Sequence, residues 1–370
     1  MAVAAPPKTA HTTTPNKSAA VAVNEFTKAA KKKTETFMDL QAVLGASAIT
    51  LPQQDIPATG WLRHLVLTFT VTGGAAATLV ADGVAALIDS ITFKDVNGQP
   101  LHTLSGYDLA LANLFGAYTQ HADFRKNFGY SADPVAGLKF SLRVPVEIIA
   151  RGALGVLNNL NGSMTYKLGI TLAPAAKVFA TNAPAVPSVR VTGIVESWSN
   201  PAPNDLRGVP NQTRPPAEGT TQNWSEFVSP VLVGQNTIRL PRVGNAIRNI
   251  VLIARDAAGV RSDAVLPSVL SIFFDGNQWH NCSVDYFRQR ACELYGYAPA
   301  DFPAGVLVFP YTDDFDGTPG EEVGDFWLQT SGATRFEYQF VGTTAGSLTV
   351  LTNDVLAIAA PSGPGATLGA

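Results

Sequence analysis

The sequence predicts an all-β protein built from two tandem eight-stranded jelly rolls, a double jelly roll, with one α-helix inserted in each. A pattern of strand, tight turn, strand and helix occurs twice in the chain, and the matched positions keep a nearly constant spacing. Each half also contains eight strand-like segments, which is the strand count of a jelly roll. At 370 residues the chain exceeds the size at which one hydrophobic core usually keeps growing, so two domains are expected.

The repeated unit covers residues 89–118 and again residues 268–297. In both copies an apolar strand leads into an Asn-Gly or Asp-Gly-Asn turn, whose residues tolerate positive φ and reverse the chain tightly. A short second strand and a helix follow. Ser105 and Ser283 stand where an N-cap side chain can accept a hydrogen bond from a free N–H group, and each helix ends at an aromatic residue followed by glycine.

The spacing between the copies indicates a duplication. Asp95 and Asp275 lie 180 positions apart, and so do Gly116 and Gly296. A single match of this kind can arise because unrelated β-strands often have similar residue patterns, but several matches in the same order are typical of an internal repeat. Two upstream pairs of segments match at spacings of 185 and 189 residues, namely 61–67 with 246–252 and 43–52 with 232–241.

The strand candidates include clear alternation of apolar and polar residues, as expected of strands that place one face in a core. They are 47–52, 62–71, 77–81, 88–95, 100–104, 140–146, 165–172 and 189–198 in the first half, and 237–240, 247–254, 261–265, 269–275, 278–282, 306–311, 335–341 and 348–358 in the second. The predicted jelly rolls cover residues 37–198 and 224–360. A Pro- and Asn-rich linker at 199–223 joins them, and residues 361–370 are predicted to form a disordered tail.

Residues 1–36 are rich in Ala, Thr, Pro and Lys, which predicts a flexible basic N-terminal arm rather than a domain. Residues 21–33 could fold into a short amphipathic helix on contact with a partner, or remain a solvated tail. The candidate partner-contacting residues are the clustered lysines of this arm, Lys28, Lys31, Lys32 and Lys33.

The composition describes a weakly charged surface. Charged residues make up 15% of the chain and the net charge is −3, whereas a typical soluble chain has about 25% charged residues. Such a surface suits a protein that meets many neighbours, although an ordinary secreted β protein has a similar composition. The charge balance argues against a protein that binds nucleic acid over its whole surface. The sequence also lacks an apolar signal-peptide core and any apolar run near the roughly 18 residues of a membrane span.

Tandem jelly rolls also occur in bicupin enzymes, so the histidines decide whether a metal site is expected. A cupin site needs clustered His and Glu side chains that converge on one ion. The histidines here are scattered, and His102 and His280, at similar places in the two copies, are predicted to be strand-edge residues rather than ligands. The sequence contains no phosphate-binding loop, dinucleotide-binding Gly motif, nucleophile elbow or zincin motif. We therefore predict no catalytic, cofactor-binding or metal-binding residues, and no enzyme.

The acidic stretch at residues 313–325 is the best candidate for a cation site, because its DxDG core imitates part of a calcium loop. Thr312 and Val323 stand where the first and the closing ligands are needed, so a solvated acidic loop is the preferred interpretation. Cys282 and Cys292 are predicted to be free, buried thiols, with a disulfide between them as the alternative.

The chain combines two similar eight-stranded halves, a helix after the fifth strand of each, a basic arm, and repeated Ser-Ile-x-Phe and Gly-Tyr patterns. In these features it resembles the double jelly-roll major capsid proteins of tailless icosahedral, tectivirus-like bacteriophages, over about residues 37–360. The resemblance implies a homotrimeric, pseudo-hexameric capsomer of an icosahedral virus shell, located in the virion after synthesis in the host cytoplasm.

The same resemblance implies the partners. These are other copies of the chain within the trimer, neighbouring capsomers, minor capsid and vertex proteins, and an internal lipid membrane or genome that the arm contacts. The alternative interpretation is a two-module β-sandwich binding protein, either part of a phage tail fibre or a carbohydrate binder.

Overall fold

The computed structural model describes residues 23–73, 76–116, 123–184, 186–216, 218–312 and 327–355. The elements of the first half are α1 (Phe26–Ala29), β1 (Lys32–Val43), β2 (Ile49–Thr50), β3 (Gln54–Asp55), β4 (Gly60–Val71), β5 (Thr78–Leu79), β6 (Ile88–Lys94), β7 (Pro100–Leu104), α2 (Gly106–Phe115), β8 (Ser131–Asp133), β9 (Gly137–Pro145), β10 (Leu157–Asn159), β11 (Lys167–Leu172), α3 (Ala175–Val178), β12 (Phe179–Thr181) and β13 (Ser188–Trp198). Those of the second half are β14 (Gln222–Val231), β15 (Gly234–Arg239), β16 (Ala246–Asp256), β17 (Val269–Phe274), β18 (Asn277–Ser283), α4 (Val284–Tyr295), β19 (Val306–Pro310), β20 (Leu328–Gln329), β21 (Phe336–Gly342) and β22 (Gly346–Val355).

Both halves are jelly rolls with the same strand order. The first half contains the orders β1-β13-β4-β9 and β2-β11-β6-β7, and the second contains β14-β22-β16-β19 and β15-β21-β17-β18. If the eight main strands of each half are numbered along the chain, both halves read 1-8-3-6 and 2-7-4-5. The principal helix, α2 or α4, follows the fifth strand each time. The predicted double jelly roll with one inserted helix per half is therefore confirmed.

The duplication extends to an irregularity in the third strand of each half. Along β4 and β13 the pairing shifts at Arg63, and along β16 and β22 it shifts at Arg248. These two arginines lie 185 positions apart, which is the spacing of the matched segments that contain them. A β-bulge bends a strand and redirects a side chain. Both jelly rolls thus use a bulged arginine at the same point.

The strand count of eight per half is correct, but one predicted member is wrong in each half. Of residues 77–81, only Thr78–Leu79 forms a strand, and this β5 pairs with β12 in a separate two-stranded sheet. Residues 261–265 contain the short 3₁₀ helix Asp263–Val265 instead of a strand. The true first strands are β1 and β14, which the sequence did not predict.

Both missed strands cross expected boundaries. β1 begins at Lys32, inside the expected arm of residues 1–36, and β14 begins at Gln222, inside the expected linker of residues 199–223. Each contains several consecutive exposed residues, so neither has the apolar alternation that marks a half-buried strand. The expected tail at 361–370 and the acidic stretch at 313–325 lie outside the described residues.

The two jelly rolls share one hydrophobic core. Its largest cluster joins residues of the first sandwich, such as Phe69 and Phe140, whose rings stack at 5.0 Å, with Val251, Val308 and Leu351 of the second. A second cluster fills the interior of the second sandwich. Because apolar burial continues from one half to the other, the halves pack as one body.

The two principal helices begin alike but lie in different surroundings. The Oγ atom of Ser105 accepts from the Asp108 N–H at 3.2 Å, and that of Ser283 accepts from the Tyr286 N–H at 3.3 Å. The predicted serine caps are therefore present in both copies. Most of α2 is buried, whereas most of α4 is not. In the described parts of the chain, we find no helix that is long and apolar enough to cross a membrane.

Candidate functional site: the interface between the jelly rolls

The second jelly roll caps the C-terminal end of α2 in the first. Arg248 donates from Nη1 to the Gly116 carbonyl at 2.6 Å, and Asn249 donates from Nδ2 to the Phe115 carbonyl at 2.9 Å. The Tyr295 hydroxyl also donates to the Phe115 carbonyl, at 3.0 Å. Carbonyls in the last turn of a helix have no intrahelical donors, and a cation there interacts favourably with the helix dipole. The bulge at Arg248 thus aims a buried guanidinium at the helix end.

An aromatic cluster surrounds this cap. The Phe115 ring lies 5.1 Å from Tyr295, 5.9 Å from Phe302 and 6.4 Å from Tyr297, measured between ring centroids. Phe115 belongs to the first jelly roll and its three neighbours to the second. Such ring pairs add to the stabilisation that burial provides. The hydrogen bonds at the helix end are therefore enclosed by apolar rings.

A second polar cluster joins the halves beside the start of α2. Asp82 forms ion pairs with Arg255 at 2.9 Å and with Arg261 at 2.8 Å. The two guanidinium groups also lie over the Tyr107 ring, at 5.6 Å and 4.5 Å from its centroid. Burial raises the pKa of Tyr107 to about 12, so this phenol stays neutral and keeps its ring under the arginines. One carboxylate and one ring of the first half thus hold two arginines of the second.

The third contact joins β7 of the first jelly roll to β14 of the second. These strands run parallel, and His102 lies opposite Trp224. The Trp224 N–H donates to Nδ1 of His102 at 3.1 Å, and Nε2 of His102 lies 2.7 Å from the Pro145 carbonyl. Because Nδ1 accepts, Nε2 carries the proton and the ring is neutral. Burial lowers the pKa of His102 to about 4. His102 is therefore a structural link between the halves.

Gln222 extends this third contact. Its Nε2 atom donates to the Val146 carbonyl at 3.2 Å and to the Glu147 carbonyl at 3.1 Å. Its Oε1 atom accepts from Asn353 at 3.2 Å. One side-chain amide thus ties the start of β14 to the first jelly roll and to the strand beside it. We refer to these three contact regions together as the domain interface.

The lysines that the sequence singled out lie along one end of the first jelly roll. Lys28 pairs with Glu25 at 3.1 Å on α1. The backbone of Lys31 exchanges hydrogen bonds with Ser199, and the ammonium of Lys32 lies 5.4 Å from the centre of the Trp198 ring. In β1, Lys33 lies opposite Ser197. The structure brings the four residues onto one short stretch of chain but not into one binding pocket.

Other contacts fix the described part of the arm. Phe26 is 1% exposed and packs edge-on against Trp61 and Trp198, with ring centroids 6.1 Å and 6.5 Å apart. The Asn24 N–H donates to the Pro210 carbonyl of the linker at 2.9 Å. The sequence allows an amphipathic helix over residues 21–33; among the described residues 23–33 only the single turn Phe26–Ala29 is helical. From residue 24 onward the arm is packed against the body of the protein.

The remaining candidates do not form a chemical site in the described ranges. His102 is buried and His280 is exposed, and no group of His, Cys, Asp or Glu in the described part of the chain could hold a metal ion. Cys282 and Cys292 are free thiols, half-buried rather than buried. The acidic candidate at 313–325 lies outside the described residues.

Sequence reasoning missed the residues of the domain interface. Arg248, Asn249 and Asp82 look like ordinary strand or turn residues, and their importance depends on which helix end or loop they meet. One signal was available: the matched segments 61–67 and 246–252 share an arginine at the same position, in otherwise apolar surroundings. A charged residue kept in both copies of a core strand indicates a structural or functional role.

We expect Arg248→Met to lower the free energy of unfolding by about 1–3 kcal/mol, because the buried Gly116 carbonyl would lose a charged donor. Chemical denaturation measures this change. Arg190→Met is the matched control, since Arg190 pairs with Asp39 on the exposed face and such pairs contribute under about 1 kcal/mol. Equal effects of the two substitutions would contradict the role given to the helix cap.

We expect the contribution of His102 to stability to fall as the pH drops from about 6.5 towards about 4. Its pKa is lower in the folded chain than in the unfolded chain, so acid protonates the unfolded form first and favours it. The contribution is complete above pH 6.5. His102→Gln keeps one donor and one acceptor but does not titrate. Its unfolding free energy should therefore depend less on pH across this window, and parallel profiles for the two proteins would contradict the assignment.

No family model and no curated protein sequence matches the chain. Solved structures do match. The Sulfolobus turreted icosahedral virus structure aligns with a TM-score of 0.61 at 13% identity, covering 88% of this chain and 91% of that chain. The PBCV-1 virus capsid aligns with a TM-score of 0.60 at 11% identity, covering 92% and 96%.

The major capsid protein P2 of bacteriophage PM2 gives a TM-score of 0.56 at 11% identity, with coverage of 88% of this chain and 97% of that chain. In these three cases the likeness extends over nearly the full length of both chains. Structural matches at identities this low establish the fold of the chain but not its biological role. The chain therefore has the double jelly-roll fold of viral major capsid proteins.

Proposed function

We propose that this protein is the major capsid protein of an icosahedral virus and forms homotrimeric, pseudo-hexameric capsomers. The observation that best supports this proposal is the domain interface. A buried helix cap, a shared ion-pair cluster and a continuous core join two similar sandwiches, so that each chain supplies two similar building blocks in a fixed arrangement. Three such chains supply six blocks, which is what a pseudo-hexagonal tile requires.

We also propose that the virus is a tailless bacteriophage. A tailless bacteriophage is supported by the resemblance of the sequence and by the likeness to the bacteriophage PM2 protein. The protein would then be located in the virion after synthesis in the host cytoplasm, with neighbouring capsomers and with minor capsid and vertex proteins as partners. We propose a structural protein without catalytic activity. The similar structures are capsid proteins, and the polar groups of the domain interface bind main-chain carbonyls and one another.

We expect the purified protein to have three times the 39.0 kDa chain mass in light scattering. Permanent assemblies of this kind bury more than about 2,000 Å² per contact, so the trimer should persist on dilution. A stable monomer that binds glycans would favour the two-module binding protein. A transition metal bound in stoichiometric amount would instead favour the bicupin enzyme.

The basic arm is proposed to contact whatever lies next to it in the shell, whether a membrane, the genome or another subunit. Lys28 is well exposed, and Lys31 and Lys33 are exposed as well. Attraction of a lysine to an anionic lipid surface contributes about 1 kcal/mol per residue near that surface and is screened by salt. These properties support a salt-dependent contact.

We expect the trimer to bind anionic vesicles at low ionic strength and to lose this binding as salt is added. Replacing Lys28, Lys31 and Lys33 with Gln should weaken vesicle binding markedly, whereas replacing Lys94, Lys126 and Lys139 on the body removes the same charge and should have little effect. Substitution is preferred to deleting residues 1–36, because that deletion would remove the start of β1. Equal losses in the two variants would show that the attraction depends on net charge alone.

A further inference from the structure

The two jelly rolls contact each other through different edges. The fifth strand of the first, β7, lies beside the first strand of the second, β14. A contact between unlike surfaces uses each surface once and leaves one copy of each unused. In this chain the unused surfaces are the fifth strand of the second jelly roll, β18, and the first strand of the first jelly roll, β1.

We infer that β18 is the docking edge for β1 of a second copy of this chain, with His280 taking the place that His102 has inside the chain. The inference rests on the proposed capsid function, and it specifies which strands of neighbouring chains meet. Its occupant is the same chain, because the complementary surface is already present there. Repeating the contact through three chains joins six jelly rolls head to tail.

The exposure of β18 supports this assignment. In β7, His102 and Leu104 are buried, whereas every residue of β18 is exposed except the half-buried Cys282. β18 ends its sheet among the strands that the structure describes. An unpaired edge is usually protected by Pro or by charged side chains, and β18, NQWHNCS, contains neither. Such an edge is suited to pairing.

The exposure of β1 supports it from the other side. Residues 32–36 of β1 are all exposed, while Gln222 and Trp224 at the start of β14 are buried against the first jelly roll. β1 also ends its sheet in the described part of the chain. Both halves of the same contact are therefore uncovered where a neighbouring chain is absent.

The strand register identifies the counterparts on β1. Gln222 lies opposite Val355, which lies opposite Ala246; Lys32 lies opposite Trp198, which lies opposite Trp61. Trp61 and Ala246 begin the matched segments of the two halves, so Lys32 corresponds to Gln222. Two residues further on, the same pairing makes Thr34 the counterpart of Trp224.

The helix caps identify the counterparts on β18. His102 and His280 each precede the capping serine of their helix by three residues, these serines being Ser105 and Ser283. Since Trp224 meets His102 inside the chain, Thr34 of one chain should meet His280 of the next. The register assigns the contacting residues of β1, and the helix caps assign those of β18. Together the two assignments define the pairing of the strands.

The chemistry of the two contacts is related but not identical. Gln222 donates to main-chain carbonyls of the first jelly roll, and the ammonium of Lys32 can donate in the same way. The large aromatic residue lies on the other strand of the contact. On the first strand, Trp224 has the small counterpart Thr34. On the fifth strand, Leu101 of β7 has the counterpart Trp279, which is 48% exposed and stacks on Phe274 at 5.4 Å. Trp279 would therefore be the aromatic anchor between chains.

Cross-linking tests the strand pairing directly. In a background with Cys282→Ser and Cys292→Ser, the pair Thr34→Cys and His280→Cys is treated with a short bismaleimide. We expect covalent species of two and three chains, ending at three because the ring closes. The matched control is Gln41→Cys with His280→Cys, since Gln41 is exposed at the far end of β1; it should give no cross-linked chains.

A second variant tests the anchor without cross-linking. Trp279→Ala should raise the concentration at which trimers dissociate by about tenfold or more, as truncation of a central aromatic contact does. Leu206→Ala, at a fully exposed apolar residue of the linker, should leave it unchanged. Trimers that show neither the cross-link nor the effect of Trp279→Ala would overturn the strand pairing and leave the capsid proposal intact. A chain that remains monomeric at all concentrations would overturn the capsid proposal itself.

Discussion

The buried cap on the end of α2 is the interaction on which the arrangement of the two jelly rolls depends. The carbonyls of Phe115 and Gly116 end a helix in the interior, where water cannot satisfy them. Arg248 and Asn249 reach them only because the bulge in β16 turns the strand towards the helix. If the second jelly roll moved away, these carbonyls would lose their donors and the guanidinium of Arg248 would lose its bond to Gly116. The relative position of the two sandwiches is therefore fixed by polar requirements as well as by apolar burial.

The topology could be predicted from the sequence because the same pattern of strands, turn and helix occurs in both halves of the chain. Turns, caps and apolar strands recur at constant spacing, and each such feature depends on residues close together in the chain. β1 and β14 could not be predicted in this way. Each contains consecutive exposed positions, and each pairs with a strand more than 100 residues away, β13 or β22. Asp82 could not be recognised either, since its partners Arg255 and Arg261 are fixed only by the packing of the two halves.

Duplicated sequences acquire different roles through their surroundings. α2 and α4 begin with the same serine cap, yet most of α2 is buried, whereas most of α4 is not and only its last residues reach the first jelly roll. His102 and His280 differ in the same way, since His102 is buried and His280 is exposed. In the first jelly roll the position is covered by β14, which makes the imidazole a buried, neutral link. In the second jelly roll the chain supplies no covering strand in its described residues.

The bulged arginine of the first jelly roll shows that the proposed contact between chains cannot copy the domain interface completely. Arg63 corresponds to Arg248, but its guanidinium pairs with Glu147 at 2.6 Å and stacks on Trp198 within its own jelly roll. Glu147 in turn accepts from the Trp198 indole at 2.8 Å, and Phe26 covers the same tryptophan. Arg63 is thus already satisfied and is not available to cap a helix of a neighbouring chain. A contact between chains would depend on strand edges and on Trp279, without a buried guanidinium, and would separate more readily than the two halves of one chain. That difference suits the proposed capsid subunit, which would fold first and assemble afterwards.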